Sequence, residues 1–108
     1  MSEAFITVLR FHRGILAARP GKRAYALSRS NFLGTGRWVS HWLGDNWSDF
    51  YNMKTSIVGV LQYNHWGIPF VGPDICGHQR DAEAQLCQRW QQLGAFYPFS
   101  RSLSVLRT

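Results

Sequence analysis

The sequence predicts an α/β fold built on a parallel sheet. Two observations carry that expectation. Stretches with helical apolar spacing alternate with short apolar runs, which is the pattern of β–α–β units. The polar residues that stand out, Arg29, Asp45 and Asp74, each fall after an expected strand and before the next helix. In α/β folds that is where ligand sites form, because the carboxyl ends of parallel strands open there.

Residues 4–18 place Phe5, Val8, Leu9, Ile15 and Leu16 near helical spacing, and Pro20-Gly21 ends that helix. Residues 23–28 alternate in character and read as a strand. Residues 29–46 hold Gly34, Gly36 and Gly44 among many polar residues and read as a long loop, a feature usually functional in a compact domain. Ser48 is the expected N-cap of a second helix, with Asp49 in the first turn, where the helix dipole favours a carboxylate. Phe50, Met53, Ile57, Val60, Leu61 and Asn64 then share one face, and Gly67 is a C-terminal stop. Residues 68–71 form a short apolar run whose Pro69 suits the start of a buried parallel strand. Gly72-Pro73 breaks it and leaves Asp74 at its C-terminal end. A third helix starts near Asp81 or Ala82, turns Leu86, Trp90 and Leu93 inward and ends at Gly94. Residues 95–99 read as one more strand.

At 108 residues and 45% hydrophobic, the chain is long and apolar enough for one small domain and too apolar to be disordered. A net charge of +6 raises the question of a nucleic-acid partner. The basic residues answer against it. They crowd the first quarter, from Arg10 to Arg23, and the end, at Arg101 and Arg107, while residues 40–75 hold only Lys54. That distribution resembles solvated flanks more than a phosphate-tracking stripe. Nothing near Ala4–Leu9 reads as a signal peptide, and no stretch approaches the ~20 apolar residues of a membrane span. Ten residues lie between Cys76 and Cys87, far from a Cys-x-x-Cys spacing, and no paired histidine motif accompanies them, so no metal is expected. The two cysteines are either a disulfide or two reduced, buried thiols.

Acids are scarce: Glu3, Asp45, Asp49, Asp74, Asp81 and Glu83 are the whole set. Asp45 lies in His41-Trp42-Leu43-Gly44-Asp45-Asn46, close to an indole that could stack on a sugar ring. Burial beside that ring would raise its carboxyl pKa, as a general acid requires. Gly-Asp-Asn is equally ordinary turn or capping chemistry. Asp74 is either a turn residue or an acceptor for ligand hydroxyls. Arg29 either holds a carboxylate ionised or pairs with Asp45 as structure. His41 reads as a hydrogen-bonded structural histidine, and the tryptophans other than Trp42 read mostly as core.

Four ordered motifs carry a family resemblance. They are Ser28-Arg29-Ser30-Asn31-Phe32 with Gly36-Arg37-Trp38, then His41-Trp42-Leu43-Gly44-Asp45-Asn46, then Val71-Gly72-Pro73-Asp74-Ile75-Cys76-Gly77, then Leu93-Gly94-Ala95-Phe96-Tyr97-Pro98-Phe99-Ser100-Arg101. Over residues 24–101 the chain resembles glycoside hydrolase family 31, most of all its maltase-glucoamylase, sucrase-isomaltase and lysosomal α-glucosidase branch. The resemblance implies a (β/α)8 TIM barrel, of which these residues supply about three β–α units. It implies hydrolysis of terminal α-linked glucose, with no cofactor and no metal. Asp45 matches the acid/base; Arg29, Trp42 and Asp74 match residues lining the glucose subsite; Cys76 and Cys87 match a disulfide. The parent family implies an α-glucoside or maltooligosaccharide substrate and a secretory, lysosomal or cell-surface location.

The chain also departs from the family pattern. The family nucleophile is an Asp in Trp-x-Asp-Met-Asn-Glu, and the only acid here before Arg29 is Glu3. Ser102-Leu103-Ser104 replaces Asn-His-Asn after the last motif, His78 stands where many relatives carry Phe, and residues 1–23 match poorly. A retaining glycosidase needs two carboxylates ~5–5.5 Å apart. The expectation is therefore a partial α-glucosidase, inactive alone, with an unrelated tail over 102–108. The alternative is a remnant that binds carbohydrate or does nothing.

Overall fold

The computed structural model describes residues 3–102. Three α-helices and five very short strands follow one another as α1 (Glu3–Ala18), β1 (Leu27–Ser28), a 3-10 turn (Thr35–Arg37), β2 (Ser40–Trp42), α2 (Phe50–His65), β3 (Val71–Gly72), β4 (Asp74–Ile75), α3 (Ala84–Gly94) and β5 (Arg101–Ser102). All strand pairings are parallel. β1, β2 and β3 form one sheet, with Leu27 opposite Ser40 and His41 opposite Val71, and β4 pairs with β5, with Asp74 opposite Arg101. Pro73, which has no N–H to donate, separates β3 from β4. Residues 71–75 therefore pair with β2 on one side and with β5 on the other. The tail expected over 102–108 lies outside the described residues except for Ser102.

The expected α/β order holds, with local corrections. The first strand is reduced to its last two residues. The expected loop over 29–46 contains the 3-10 turn and β2, a three-residue strand too short to show alternation. Residues 95–99 form no strand; the final pairing comes later, at Arg101–Ser102. Its register is set by Gly72, where a Cβ would collide with the Phe99 carbonyl oxygen. Only glycine lets these two backbones approach so closely.

Two apolar clusters hold the helices to the strands. Val8 on α1 packs with Ala26 and Val39, with Ile15 and Trp38 against them. Val60, Val71, Ile75, Cys76, Leu86, Trp90 and Tyr97 form the larger cluster, between α2, α3 and the strands. The inner face of α2 differs from the expected one. Met53, Ser56, Val60 and Tyr63 face the core, whereas Phe50, Ile57 and Leu61 are 42%, 41% and 66% exposed. A polar residue sits on the buried face because the Ser56 hydroxyl finds a buried partner in Tyr97 Oη, 2.6 Å away. Trp90 has no exposed surface, as expected of a core tryptophan, but Trp47 and Trp66 are largely exposed.

The N-cap of α2 is Asp49, one residue after the expected Ser48; its Oδ1 accepts from Asn52 N at 2.7 Å and from Asn52 Nδ2 at 2.9 Å. The hydrogen bonds from Asn52 hold the Asp49 carboxyl below its ordinary pKa. Asp49→Ala removes an acceptor for an otherwise unpaired helix N–H and is expected to cost ~1 kcal/mol. The denaturant midpoint of the purified chain reads this, and the difference from wild type should vanish as pH falls through the depressed folded-state pKa, where the carboxylate is protonated in both states.

Candidate functional site

β2 and β3 place the candidate residues. Trp42 is the last residue of β2 and lies opposite Gly72. Just beyond it Gly44 adopts φ +94°, a left-handed conformation that turns the chain outward and leads into Asp45. A Cβ at Gly44 would press on the Arg29 guanidinium at 2.8 Å, so glycine also makes room for Arg29. Asp74 opens β4 and has no exposed surface.

The Asp45 loop is stapled to β4 and to the loop that follows it. Asn46 accepts backbone hydrogen bonds from His78 N at 2.7 Å and Gln79 N at 3.0 Å, and its side-chain oxygen accepts from Asp74 N at 3.3 Å. Ser48 N donates to the Gln79 carbonyl at 2.9 Å. A disulfide joins Cys76 to Cys87 and ties the end of β4 to α3. Of the alternatives open to the two cysteines, the bridge is the one observed. Cys76 sits at φ +74°, a strained conformation for a residue with a Cβ, and the bridge together with the Gly77 N–H bond to the Asp74 carbonyl holds it there.

All four sequence-derived site residues come together. Arg29 NH1 lies 3.8 Å from Asp45 Oδ2, and the Arg29 guanidinium sits 5.4 Å from the centre of the Trp42 ring. Trp42 Nε1 donates to Asp74 Oδ1 at 3.0 Å. The Arg29–Asp45 pair is open to water, with side chains 63% and 39% exposed, so it is worth little to stability. The burial expected of Asp45 beside Trp42 is not observed, because the loop beyond Gly44 stands clear of the core.

Arg101 is a member of this constellation that reading the chain segment by segment did not single out. Its Nε and NH2 reach Asp74 Oδ1 at 2.7 and 2.5 Å, and its guanidinium lies 4.5 Å from the Trp42 ring centre. The available signal was its place in the last quoted motif. The parallel register of β4 and β5 is what brings it opposite Asp74. Three donors thus converge on Asp74 Oδ1, while Oδ2 is buried with no hydrogen-bond partner among the described residues.

His41 supports the site from behind. It is buried in β2, its Nδ1 is hydrogen-bonded to Asn31 Nδ2, and its ring stacks on Tyr63 with centroids 3.8 Å apart. Burial lowers the His41 pKa from its ordinary 6.5, partly opposed by a hydrogen bond that the ring donates to the Ser28 backbone carbonyl. Above 6.5 the ring is neutral in both states. As pH falls below 6.5 the unfolded chain takes up a proton that the folded chain resists, so stability declines until the lowered folded-state pKa is passed. His41→Phe keeps a ring for Tyr63 and removes the proton. The fall in urea midpoint between about pH 7 and 5 should be shallower in that variant; parallel profiles would show that His41 does not contribute to it.

Comparison with known proteins gives a consistent answer. The family described as "Glycosyl hydrolases family 31 TIM-barrel domain" matches residues 4–108. Human intestinal sucrase-isomaltase is 53% identical over 83 residues, 77% of this chain and 4% of its own length. Bovine lysosomal α-glucosidase is 45% identical over 100 residues, 93% of this chain and 11% of its own length. Among solved structures, a family 31 α-glucosidase from Bacteroides thetaiotaomicron superposes with a TM-score of 0.88 at 42% identity, covering 96% of this chain and 18% of that one. A glucosidase II α subunit superposes with a TM-score of 0.85 at 35% identity, covering 91% of this chain and 11% of that one. The chain thus spans a small part of each relative, and its parallel strands and helices correspond to part of a TIM barrel.

Proposed function

The chain belongs to glycoside hydrolase family 31, and on that premise we propose that it forms one wall of a retaining α-glucosidase site that hydrolyses terminal α-linked glucose. The observation that carries this reading is the convergence of Asp45, Arg29, Trp42 and Asp74 at the carboxyl ends of neighbouring parallel strands. Asp45 is the acid/base. Its exposure lets it meet a glycosidic oxygen, give it a proton as the leaving group departs, and later take a proton from water. Asp74 binds a glucose hydroxyl through Oδ2, the oxygen its neighbours leave free, while Arg101 and Trp42 fix its orientation.

Asp74 is poorly suited to be the nucleophile. It is buried, and three donors on Oδ1 draw off its negative charge. No other carboxylate among the described residues joins Asp45 and Asp74 in this constellation. The second carboxylate of double displacement therefore has to come from sequence outside these 108 residues. On this reading the chain alone turns over no α-glucoside.

The test has two arms. Purified chain should release no chromophore from 4-nitrophenyl α-glucoside, and turnover abolished by Asp45→Asn would overturn the claim of inactivity. Residues 24–101, grafted in place of the aligned segment of the Bacteroides α-glucosidase, should support glucoside hydrolysis. A folded but inactive graft favours the second reading, a non-catalytic remnant that binds carbohydrate through Trp42 and Asp74.

A further inference from the structure

We propose that the hollow lined by Arg19, Lys22, Arg23 and Tyr25, at the C-terminal end of α1, binds a ligand that carries two or more phosphate groups. A single turn builds the hollow. α1 ends at Ala18, Pro20 cannot continue it, and Gly21 at φ +75° reverses the backbone. Lys22 N donates to the Arg19 carbonyl at 3.2 Å, which closes the turn and brings the flanking cations together. Ile15 and Pro20 complete the lining around about 880 Å³, a volume within the range of small-molecule sites.

The hollow lies away from the candidate glucose site. Tyr25 precedes β1 and Phe70 precedes β3, and their rings meet edge to face with centroids 6.0 Å apart. Both mark the amino ends of the strands, whereas Arg29 and Asp45 follow the carboxyl ends.

Three positive charges share the hollow, and no carboxylate answers them. The two ion pairs among the described residues belong to the candidate glucose site. Glu3 stands at the far end of the 16-residue α1, about 24 Å away along its axis, and the next acid in the chain is Asp45. Cations after a helix ordinarily cap its last carbonyls. Among the described residues, the side-chain hydrogen bonds made from α1 come from Thr7 and His12, not from the three cations. All three are exposed, so water screens their mutual repulsion without removing it. An anion in the hollow turns that repulsion into attraction.

The lining selects the anion. Arginine offers phosphate a fork of donors, lysine a mobile point charge, and Tyr25, 56% exposed, a hydroxyl on the rim. One phosphate monoester carries about −1.5 to −2 at pH 7, less than three cations supply. The cations crowd one turn and form no stripe, which suits a compact polyanion rather than a nucleic-acid backbone.

The proposal is independent of the glucosidase reading, because binding is measured on the full chain without a glucoside. Calorimetric titration of the untagged chain with inositol hexakisphosphate at low salt should show one saturable equivalent, weakened as NaCl is raised. Arg19→Gln, Lys22→Gln and Arg23→Gln should each lower the affinity by ~10-fold. Lys54→Gln/Arg89→Gln removes two charges elsewhere and should change it by less than ~2-fold. All five residues are exposed, so none of these changes threatens the fold. Co-sedimentation with phosphatidylcholine vesicles, with and without phosphatidylinositol bisphosphate, separates the two sources of such a ligand. Capture by the phosphorylated vesicles alone assigns a lipid headgroup, and soluble binding without capture assigns a free phosphate ester. Absence of saturable binding, wild-type affinity in the three single variants, an equal loss in the Lys54/Arg89 control, or capture by plain phosphatidylcholine would overturn the proposal.

Discussion

Asparagine at position 45 of the grafted enzyme is expected to lower kcat on maltose by ~10²–10⁴-fold, the range that a positioned general acid/base supplies. The substitution keeps the shape of the side chain and removes only its proton chemistry. The loss should depend on the leaving group. A sugar alkoxide needs a proton to depart, whereas 4-nitrophenolate leaves without one, so the glycosylation step on the aryl glucoside should be far less affected. If Asp45 is the acid/base, deglycosylation needs it as a base for either substrate. The aryl glucoside should therefore give a burst of nitrophenol followed by a slow steady state, as the glucosyl-enzyme accumulates. Stopped-flow measurement reads both phases. Equal losses on both substrates, with no burst, would remove Asp45 from the acid/base role.

Replacing Arg101 with methionine is expected to destabilise the fold by about 3–5 kcal/mol, because it strips the buried Asp74 carboxylate of its counter-charge. Methionine keeps much of the apolar stem, so the cost is mainly electrostatic. Trp42 Nε1 remains as a donor to Oδ1 but carries no charge. The double variant Arg101→Met/Asp74→Asn should recover most of the loss, since a neutral amide is far cheaper to bury than a lone carboxylate. Thermal unfolding of the four members of the cycle measures the coupling. If the two single changes simply add, the pair is not what holds β4 to β5.

Much of the fold was legible before the structure. α1 was visible in the spacing of its apolar residues, and α2 and α3 were visible in their spacing and stop signals, because helix formation depends on contacts within a few residues. The strands were read poorly for a physical reason. β1, β3, β4 and β5 are two residues long and β2 is three, too short for alternation to register. What makes them strands is the neighbour across the sheet. The expected apolar face of α2 missed Ser56 for a related reason: its burial depends on Tyr97, distant in sequence.

At the candidate site the quoted motifs named Asp45, Arg29, Trp42 and Asp74, and all four meet. The expectation that Trp42 buries Asp45 was replaced by an exposed acid paired with Arg29. Arg101 as the partner of Asp74, and His78 as a neighbour of both acids, follow only from the fold, because Arg101 lies far from Asp74 in the chain and His78 far from Asp45.

The sequence by itself determined the α/β class, the three helices and the family, and it named the candidate residues that meet at the strand ends, because propensity, capping and motif order are all written along the chain. Tertiary structure alone decided the register. It set Asp74 opposite Arg101, converged three donors on one carboxylate oxygen and left the other free. Parallel pairing joins residues that are far apart in the chain, and the close approach at Gly72 and the break at Pro73 that permit it act only once the strands have met.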